Sequence, residues 1–172
     1  TVPEIRALKL FQNKKNSKKK GQIVPTSDKV HHHKYYQPYG IYLTPLKHKP
    51  IKMFEIGLGC NMKYGPGASS HMWKSFFTHE KFELWMAEVD EKCVAKKQEE
   101  LQSLGVNAVS GDQGNVEDVR RWMKESKGNF DIVIDDGSHR NVDMLVSFQE
   151  IWKHVKPGGI YFIEDLVFTR EP

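Results

Sequence analysis

The chain has 172 residues, of which 38% are hydrophobic and 28% are charged, and its formal net charge is +4. This length suits one domain with a single core and is too short for two. Much of the positive excess lies in a lysine-rich run at residues 14–20, so the charge gives no general signal for nucleic-acid binding. No apolar run approaches the roughly 20 residues that span a bilayer. We therefore expect one folded domain, with no nucleic-acid partner and no membrane span.

The two cysteines, Cys60 and Cys93, are too few for a disulfide scaffold or for a zinc site built on cysteine. Both follow predicted strand ends that should be neighbours in the sheet described below. A bond between them is one alternative, and we expect reduced, buried thiols instead.

The chain divides into an N-terminal segment with a lysine-rich linker, residues 1–22, and one domain, residues 23–172. Polar-tipped aromatic side chains in residues 26–50, with Pro45 and Pro50 at the end of this stretch, predict an ordered lead-in that packs on the domain. A short histidine tract, His31, His32 and His33, lies in this lead-in. We interpret these histidines as ordinary loop residues rather than a metal-binding tract.

From residue 51 onward, strand and helix patterns alternate. Strands are predicted at residues 51–56, 82–89, 106–109, 130–134 and 160–163, and helices at residues 68–77, 92–104, 116–127 and 144–155. Gly105 and Gly128 follow the second and third helices, as expected of helix C-termini. The pattern predicts an α/β fold of Rossmann-like, doubly wound type, with a mostly parallel sheet and helices on both faces.

In such a sheet, residues that follow the strands collect along one edge, where ligands bind. After the first strand come two glycines, Gly57 and Gly59, which allow a sharp turn and close approach of a ligand. A dinucleotide-binding loop would have a third glycine where this chain has Met62. Glu55 instead fits a loop that holds the aminoacyl end of S-adenosyl-L-methionine. The alternative is a tight connection without a ligand.

The next two strand ends also carry polar side chains. Asp90 is placed to accept both hydroxyls of an adenosine ribose, whereas Glu88 should point to the other face of the sheet. Asp112 and Gln113 are placed to contact an adenine edge, and Asp135 completes the predicted cofactor set. Each of these positions is also compatible with a helix N-cap or a solvated turn.

Acidic residues follow the fourth and fifth strands, which neighbour each other in this topology. Asp136, Glu164 and Asp165 would supply three hard oxygen ligands, which suit Mg²⁺ or Mn²⁺. Without a cation the three carboxylates would repel one another. His139 lies on the same rim and is the predicted general base. The alternative is a capping aspartate beside a solvated strand end.

These residues together resemble a class I S-adenosylmethionine-dependent methyltransferase, and the metal-dependent sugar O-methyltransferases of macrolide biosynthesis in particular. The resemblance covers residues 26–166. Its more specific elements are the glycine loop, IDDGSH at 134–139, PGGIYFIEDL at 157–166, and Asp28, Lys29, His33, Tyr35 and Tyr39. It implies magnesium bound by the aspartate of DGSH and by the acidic pair after the next strand, with the histidine as base. The stretch EIGLGCNMKYGPGAS also resembles a fungal branch of these proteins.

The resemblance implies methyl transfer from S-adenosyl-L-methionine to a hydroxyl of a sugar-like or vicinal-diol small molecule, with Mg²⁺ or Mn²⁺ as the assisting metal. Class I methyltransferases complete their sheet with a sixth and a seventh strand, and this sequence ends shortly after the predicted fifth. We therefore expect a fragment, or a homo-oligomer or partner that covers the fifth strand. Two alternatives stay open: a non-catalytic cofactor-binding module, and an iron oxygenase similar to cephalosporin hydroxylase, which would need two histidines and one carboxylate.

Overall fold

The computed structural model describes residues 27, 29, 33, 35–63 and 65–166. The predicted N-terminal segment, residues 1–22, lies outside the described residues, as do Asp28, His31 and His32. The proposed division at residues 22 and 23 therefore stays a prediction.

The described chain forms a five-stranded parallel sheet with helices between successive strands. In chain order the helices are α1 (Tyr36–Leu43), α2 (Ala68–Phe76), α3 (Glu91–Ser103), α4 (Val116–Ser126) and α5 (Asn141–Ile151). The strands are β1 (Lys52–Ile56), β2 (Glu83–Glu88), β3 (Val106–Ser110), β4 (Phe130–Asp135) and β5 (Val155–Ile163), in the spatial order β3-β2-β1-β4-β5. The predicted doubly wound α/β fold is confirmed. No helix in the described ranges has the length and hydropathy that crossing a bilayer requires.

Alternating side chains in the central strands pack into two cores, one on each face of the sheet. In β1, Met53 belongs to the core that includes α1 and α2, whereas Phe54 belongs to the core that includes α4. In β4, Ile132 and Val133 divide in the same way. Since successive strand residues point to opposite faces, an uninterrupted apolar run is what a strand covered on both sides requires.

The lead-in packs on the domain, as the sequence predicts. Its helix α1 buries Tyr39 and Leu43 in the first core. The Tyr39 ring makes edge contacts with Trp73 of α2 and Phe162 of β5, with ring centroids 5.1 Å apart in both pairs. Residues that precede β1 thereby reach the far end of the sheet, next to β5.

Strand β5 begins earlier than the sequence predicts. The sequence predicts a fourth helix through residue 155, whereas α5 ends at Ile151. A short 3₁₀ turn covers Trp152–His154, and Val155 pairs with Phe130. The register then shifts, so that Ile160 pairs with Ile132. Gly158 and Gly159 lie within β5, between the two paired segments. Within the described residues β5 pairs only with β4, and a partner for its other edge stays a prediction.

Cys60 and Cys93 form a disulfide, so the expectation of reduced thiols is wrong. Parallel pairing of β1 with β2 brings the loop after β1 next to the first turn of α3, with a Cα–Cα distance of 6.2 Å between the two cysteines. This distance lies inside the usual range for a disulfide. The bond ties the glycine loop to the helix that follows β2.

Reducing this disulfide should lower the free energy of unfolding by about 2–4 kcal/mol, because a closed loop of this size restricts the unfolded chain. The measurement is urea denaturation with and without a thiol reductant. A Cys60→Ser, Cys93→Ser double variant serves as the control, since its denaturation midpoint should not respond to the reductant. Identical midpoints for the oxidised and reduced wild-type protein would contradict the structural role of the bond.

Candidate functional site

A cavity of about 840 Å³ opens at the carboxyl edge of the sheet. The strand register places its walls, because Ile56 pairs with Ala87 on one side and with Asp135 on the other, and Asp135 pairs with Ile163. Most of the site residues predicted from the sequence line it: Gly57, Gly59, Asp90, Asp112, Gln113, Asp136, His139 and Asp165. The strand ends therefore converge as expected of a doubly wound sheet.

Gly57 brings the glycine loop against the end of β4. Its φ of +106° lies in the region that favours glycine, and a Cβ there would lie 2.2 Å from the carbonyl oxygen of Asp136. The N–H of Asp136 in turn donates to the carbonyl of Ile56, at 3.1 Å. The glycine thus sets the distance between the glycine loop and the acidic edge.

Glu88 holds the glycine loop, and the expectation that it points to the other face is wrong. Its Oε2 accepts hydrogen bonds from the N–H groups of Gly59 and Cys60, at 3.1 and 3.2 Å. Glu88 is the last residue of β2, so strand alternation no longer fixes its side chain against a covering helix. The neighbouring Asp90 caps α3, with Oδ1 accepting from the N–H of Cys93 at 3.0 Å, and also lines the cavity.

Gln113 and Asp135 form a buried hydrogen-bonded group that joins the ends of β3 and β4. Nε2 of Gln113 donates to Asp135 at 3.1 Å, and its Oε1 accepts from the N–H of Ser138 at 2.6 Å. The hydroxyl of Ser147 donates to Oδ2 of Asp135 at 2.6 Å. Burial raises the pKa of Asp135 above its ordinary value. Asp135, only 1% exposed, is engaged with protein donors and is not among the residues that line the cavity.

Glu55 is also buried rather than exposed to the cavity. Its Oε2 accepts from the hydroxyl of Ser69 at 3.0 Å and from the indole N–H of Trp73 at 2.9 Å, and its exposure is 0%. Its Oε1 forms an ion pair with Nζ of Lys29, at 3.3 Å. Burial raises the pKa of Glu55 to about 7, although the attraction of Lys29 opposes that rise.

Lys29, from the lead-in, places a buried cation between carboxylates of three strand ends. Its ammonium donates to Oδ2 of Asp136 and, at 2.8 Å, to Oε1 of Glu164, and it pairs with Glu55. Burial opposes its charge, but attraction from the three carboxylates outweighs burial and raises its pKa well above the ordinary value. One ammonium does not balance three carboxylates, and burial raises the pKa of Glu164 to about 8. The hydroxyl of Tyr39 also donates to Glu164.

Asp136, His139 and Asp165 form the group of potential metal ligands in the described part of the chain. Each residue offers one ligand atom, and these atoms lie within 4.8 Å of one another. Nε2 of His139 is 4.0 Å from Oδ1 of Asp136 and 3.6 Å from Oδ2 of Asp165. Asp165 accepts from the hydroxyl of Tyr35 at 2.7 Å, and its N–H donates back to that hydroxyl at 2.8 Å. The arrangement offers hard oxygen donors beside an imidazole.

The structure therefore brings together two of the three predicted metal ligands, Asp136 and Asp165, with the predicted base, His139. It directs the third predicted ligand, Glu164, to Lys29 and Tyr39. The contacts of Lys29, Tyr35 and Tyr39 with the acidic edge were not predicted. The resemblance singles out these residues, but nothing in their spacing indicates that a segment before β1 packs beside β5.

The sequence of the chain is similar to sugar O-methyltransferases over most of its length. It is 33% identical over 136 residues to the mycinamicin VI 2''-O-methyltransferase of Micromonospora griseorubida, which is 78% of this chain and 32% of that enzyme. It is 35% identical over 136 residues to the demethylmacrocin O-methyltransferase of Streptomyces fradiae, with the same coverage of each chain. No protein-family model matches the chain.

The fold is similar to that of a solved methyltransferase. The MycE methyltransferase of the mycinamycin biosynthetic pathway, solved in complex with Mg, SAH and mycinamycin VI, superposes with a TM-score of 0.65 at 33% identity. The resemblance to sugar O-methyltransferases is confirmed. The match covers 77% of this chain and 33% of the MycE chain. The chain spans about a third of the length of the curated relatives that it matches.

Replacing Gly57 with alanine should lower the free energy of unfolding by about 2–4 kcal/mol, because the new Cβ strains the backbone and meets a backbone oxygen that has no room to move. The matched control is Gly65→Ala. Gly65 has a φ of +85° but nothing within 4 Å of the added Cβ, so only the backbone cost of about 1 kcal/mol should appear. Equal losses in urea denaturation would show that contact with Asp136 is unimportant.

Proposed function

We propose that this chain carries the cofactor and metal sites of an S-adenosyl-L-methionine-dependent, divalent-metal-assisted O-methyltransferase. Its substrate would be a hydroxyl of a sugar-like or vicinal-diol small molecule. The observation that carries the proposal is the group formed by Asp136, His139 and Asp165, which lies on the wall of the cavity that the glycine loop and Asp90 also line. The proposed site for the methyl donor thus adjoins the proposed site for a divalent cation.

The proposed cofactor site follows the strand ends in order. The glycine loop at Gly57 and Gly59 lets the aminoacyl end approach the backbone, Asp90 accepts the ribose hydroxyls, and Asp112 faces the adenine. Glu55, Gln113 and Asp135 support this site from beneath, since their side chains are buried and hydrogen-bonded to protein groups. Their role in cofactor binding would therefore be to fix the loops that make direct contact.

The residues present fit a hard divalent cation. Asp136 and Asp165 offer carboxylate oxygens on the cavity wall, and oxygen donors suit Mg²⁺ or Mn²⁺. Glu164, the third proposed ligand, gives Oε1 to Lys29 and Tyr39, so Oε2 is the oxygen we assign to the metal. When bound, the ion would act as a Lewis acid that polarises and orients the acceptor hydroxyl.

His139 is the proposed general base. Its Nε2 faces the carboxylates of Asp136 and Asp165, which stabilise the imidazolium formed when it accepts a proton. His139 would take the proton of the acceptor hydroxyl. Bound S-adenosyl-L-methionine would supply the methyl group, with the new oxygen–carbon bond replacing the sulfonium carbon–sulfur bond and S-adenosylhomocysteine as the leaving product. In-line positioning of the two substrates is the main task of the cavity.

The two alternatives from the sequence have distinct tests. A non-haem iron oxygenase binds its iron through two histidines and one carboxylate. The ligand group in the described chain has one histidine and two carboxylates. A non-catalytic module would bind the cofactor without turning it over. Formation of S-adenosylhomocysteine in the presence of a panel of sugar-like acceptors separates a methyltransferase from both.

Replacing Asp90 with alanine should weaken S-adenosyl-L-methionine binding by about 1.5–3 kcal/mol, the cost of losing charge-assisted hydrogen bonds to the ribose. Calorimetric titration measures the affinity. Because Asp90 also caps α3, the control is Asp90→Asn, which keeps the cap and removes the charge. Asparagine should restore stability but not affinity. Unchanged affinity in both variants would exclude Asp90 from the cofactor site.

Chelation of divalent metal should abolish methyl transfer while cofactor binding persists, since the two sites use different side chains. His139→Ala should lose turnover yet retain Mn²⁺ binding in a calorimetric titration, because the histidine is assigned as the base. Loss of Mn²⁺ binding in this variant would instead make His139 a metal ligand. Full turnover in excess chelator would refute the metal requirement.

A further inference from the structure

Lys29 is the best-buried charged side chain at the acidic edge that the proposed mechanism does not use. It is 2% exposed and lies among carboxylates from β1, from the residue after β4 and from the residue after β5. A buried ion pair of this kind seldom stabilises a fold more than apolar packing would, because removing charges from water is costly. The position of Lys29 therefore indicates a role other than stabilising the fold.

The contacts of Lys29 divide the two oxygens of Asp136 between different tasks. The ammonium binds Oδ2, and Oδ1 is the oxygen that faces His139, at 4.0 Å. Glu164 is held in a similar way, since Lys29 and Tyr39 both contact its Oε1. Carboxylates that bind metal ions are commonly held by an outer hydrogen-bond donor on one oxygen while the other contacts the ion.

We propose that Lys29 is a positioning residue for the metal site, which fixes Asp136 and Glu164 so that their second oxygens are available to a divalent cation. The inference rests on the proposed function, because it assumes that the acidic edge binds a metal. Lys29 does not contact substrate or cofactor in this account. It acts through the two carboxylates, and it ties them to Glu55 below the glycine loop.

Lys29 could also compete with a metal ion, and the direction of the change in Mn²⁺ affinity distinguishes that role from positioning. If Lys29 instead occupied the position of the cation and competed with it, removing the ammonium would tighten metal binding. If it only stabilised the fold, removal would lower stability and leave the affinity of the folded protein unchanged. Only the positioning role predicts weaker binding by a protein that is still folded.

The experiment uses the full chain and Mn²⁺ as the probe, with affinity measured by calorimetry and the environment of the bound ion by electron paramagnetic resonance. Lys29→Met should bind Mn²⁺ about 10–100-fold more weakly, the usual effect of losing an outer partner of a metal ligand. The resonance of the bound Mn²⁺ should be broader than in the wild-type protein. Lys29→Arg keeps the charge and supplies donors on a larger, planar group, and should recover part of the affinity. Circular dichroism establishes that each variant is folded.

Two further variants make the result specific. Lys52→Met removes a partly buried lysine at the opposite end of β1, which pairs with Glu83 of β2, and should leave Mn²⁺ affinity unchanged. Tyr39→Phe removes the second donor to Glu164 while keeping the buried ring. It should bind Mn²⁺ more weakly than the wild-type protein, so it tests the positioning of Glu164 even if Lys29→Met does not fold.

Equal or tighter Mn²⁺ binding by folded Lys29→Met would overturn the role of Lys29. These outcomes leave the proposed metal site standing, provided that the wild-type protein binds Mn²⁺. Absence of Mn²⁺ binding by the wild-type protein would overturn the metal site and this inference together.

Discussion

Mutual repulsion among carboxylates at one edge of the sheet is the constraint on which the site depends. Parallel strands end on the same side, so Glu55, Asp136, Glu164 and Asp165 converge whether or not their charges are balanced. In a medium of low polarity, close like charges are costly and shift one another's protonation. The buried ammonium of Lys29 offsets part of this repulsion, since it contacts three of the four carboxylates.

The lead-in is therefore part of the site rather than an appendage to the domain. Lys29, Tyr35 and Tyr39 all come from residues before β1, yet their polar groups reach carboxylates beside β4 and β5. Packing of Tyr39 against Trp73 and Phe162 explains how this segment is held in place. The position of the Tyr39 hydroxyl at the acidic edge therefore depends on the apolar packing of its ring. A packing defect in α1 should displace the carboxylate that this hydroxyl contacts.

The fold and the location of the site follow from sequence patterns that are local. Each strand is a short apolar run bounded by turn residues, and the parallel order follows from alternation with helices, so the strand ends are predictable from single segments. The orientations of individual side chains are not. The placement of Glu88 depends on the backbone of a neighbouring loop, and the burial of Glu55 depends on Ser69 and Trp73 of α2. The sequence favours reduced thiols over the disulfide because spacing alone does not give the distance between two loops.

Two residues at the acidic edge have strained backbone conformations. His139 and Asp165 are not glycines, yet their φ angles are +57° and +54°, a region that costs most residues of the order of 1 kcal/mol or more. Such conformations persist where surrounding contacts determine them, and Asp165 is held through both its side chain and its N–H by the hydroxyl of Tyr35. Tyr35 thus holds Asp165 in a strained backbone conformation, while Lys29 holds Asp136 and Glu164. With each of these carboxylates held by its own partners, the acidic edge has little freedom to change the distances between its oxygens.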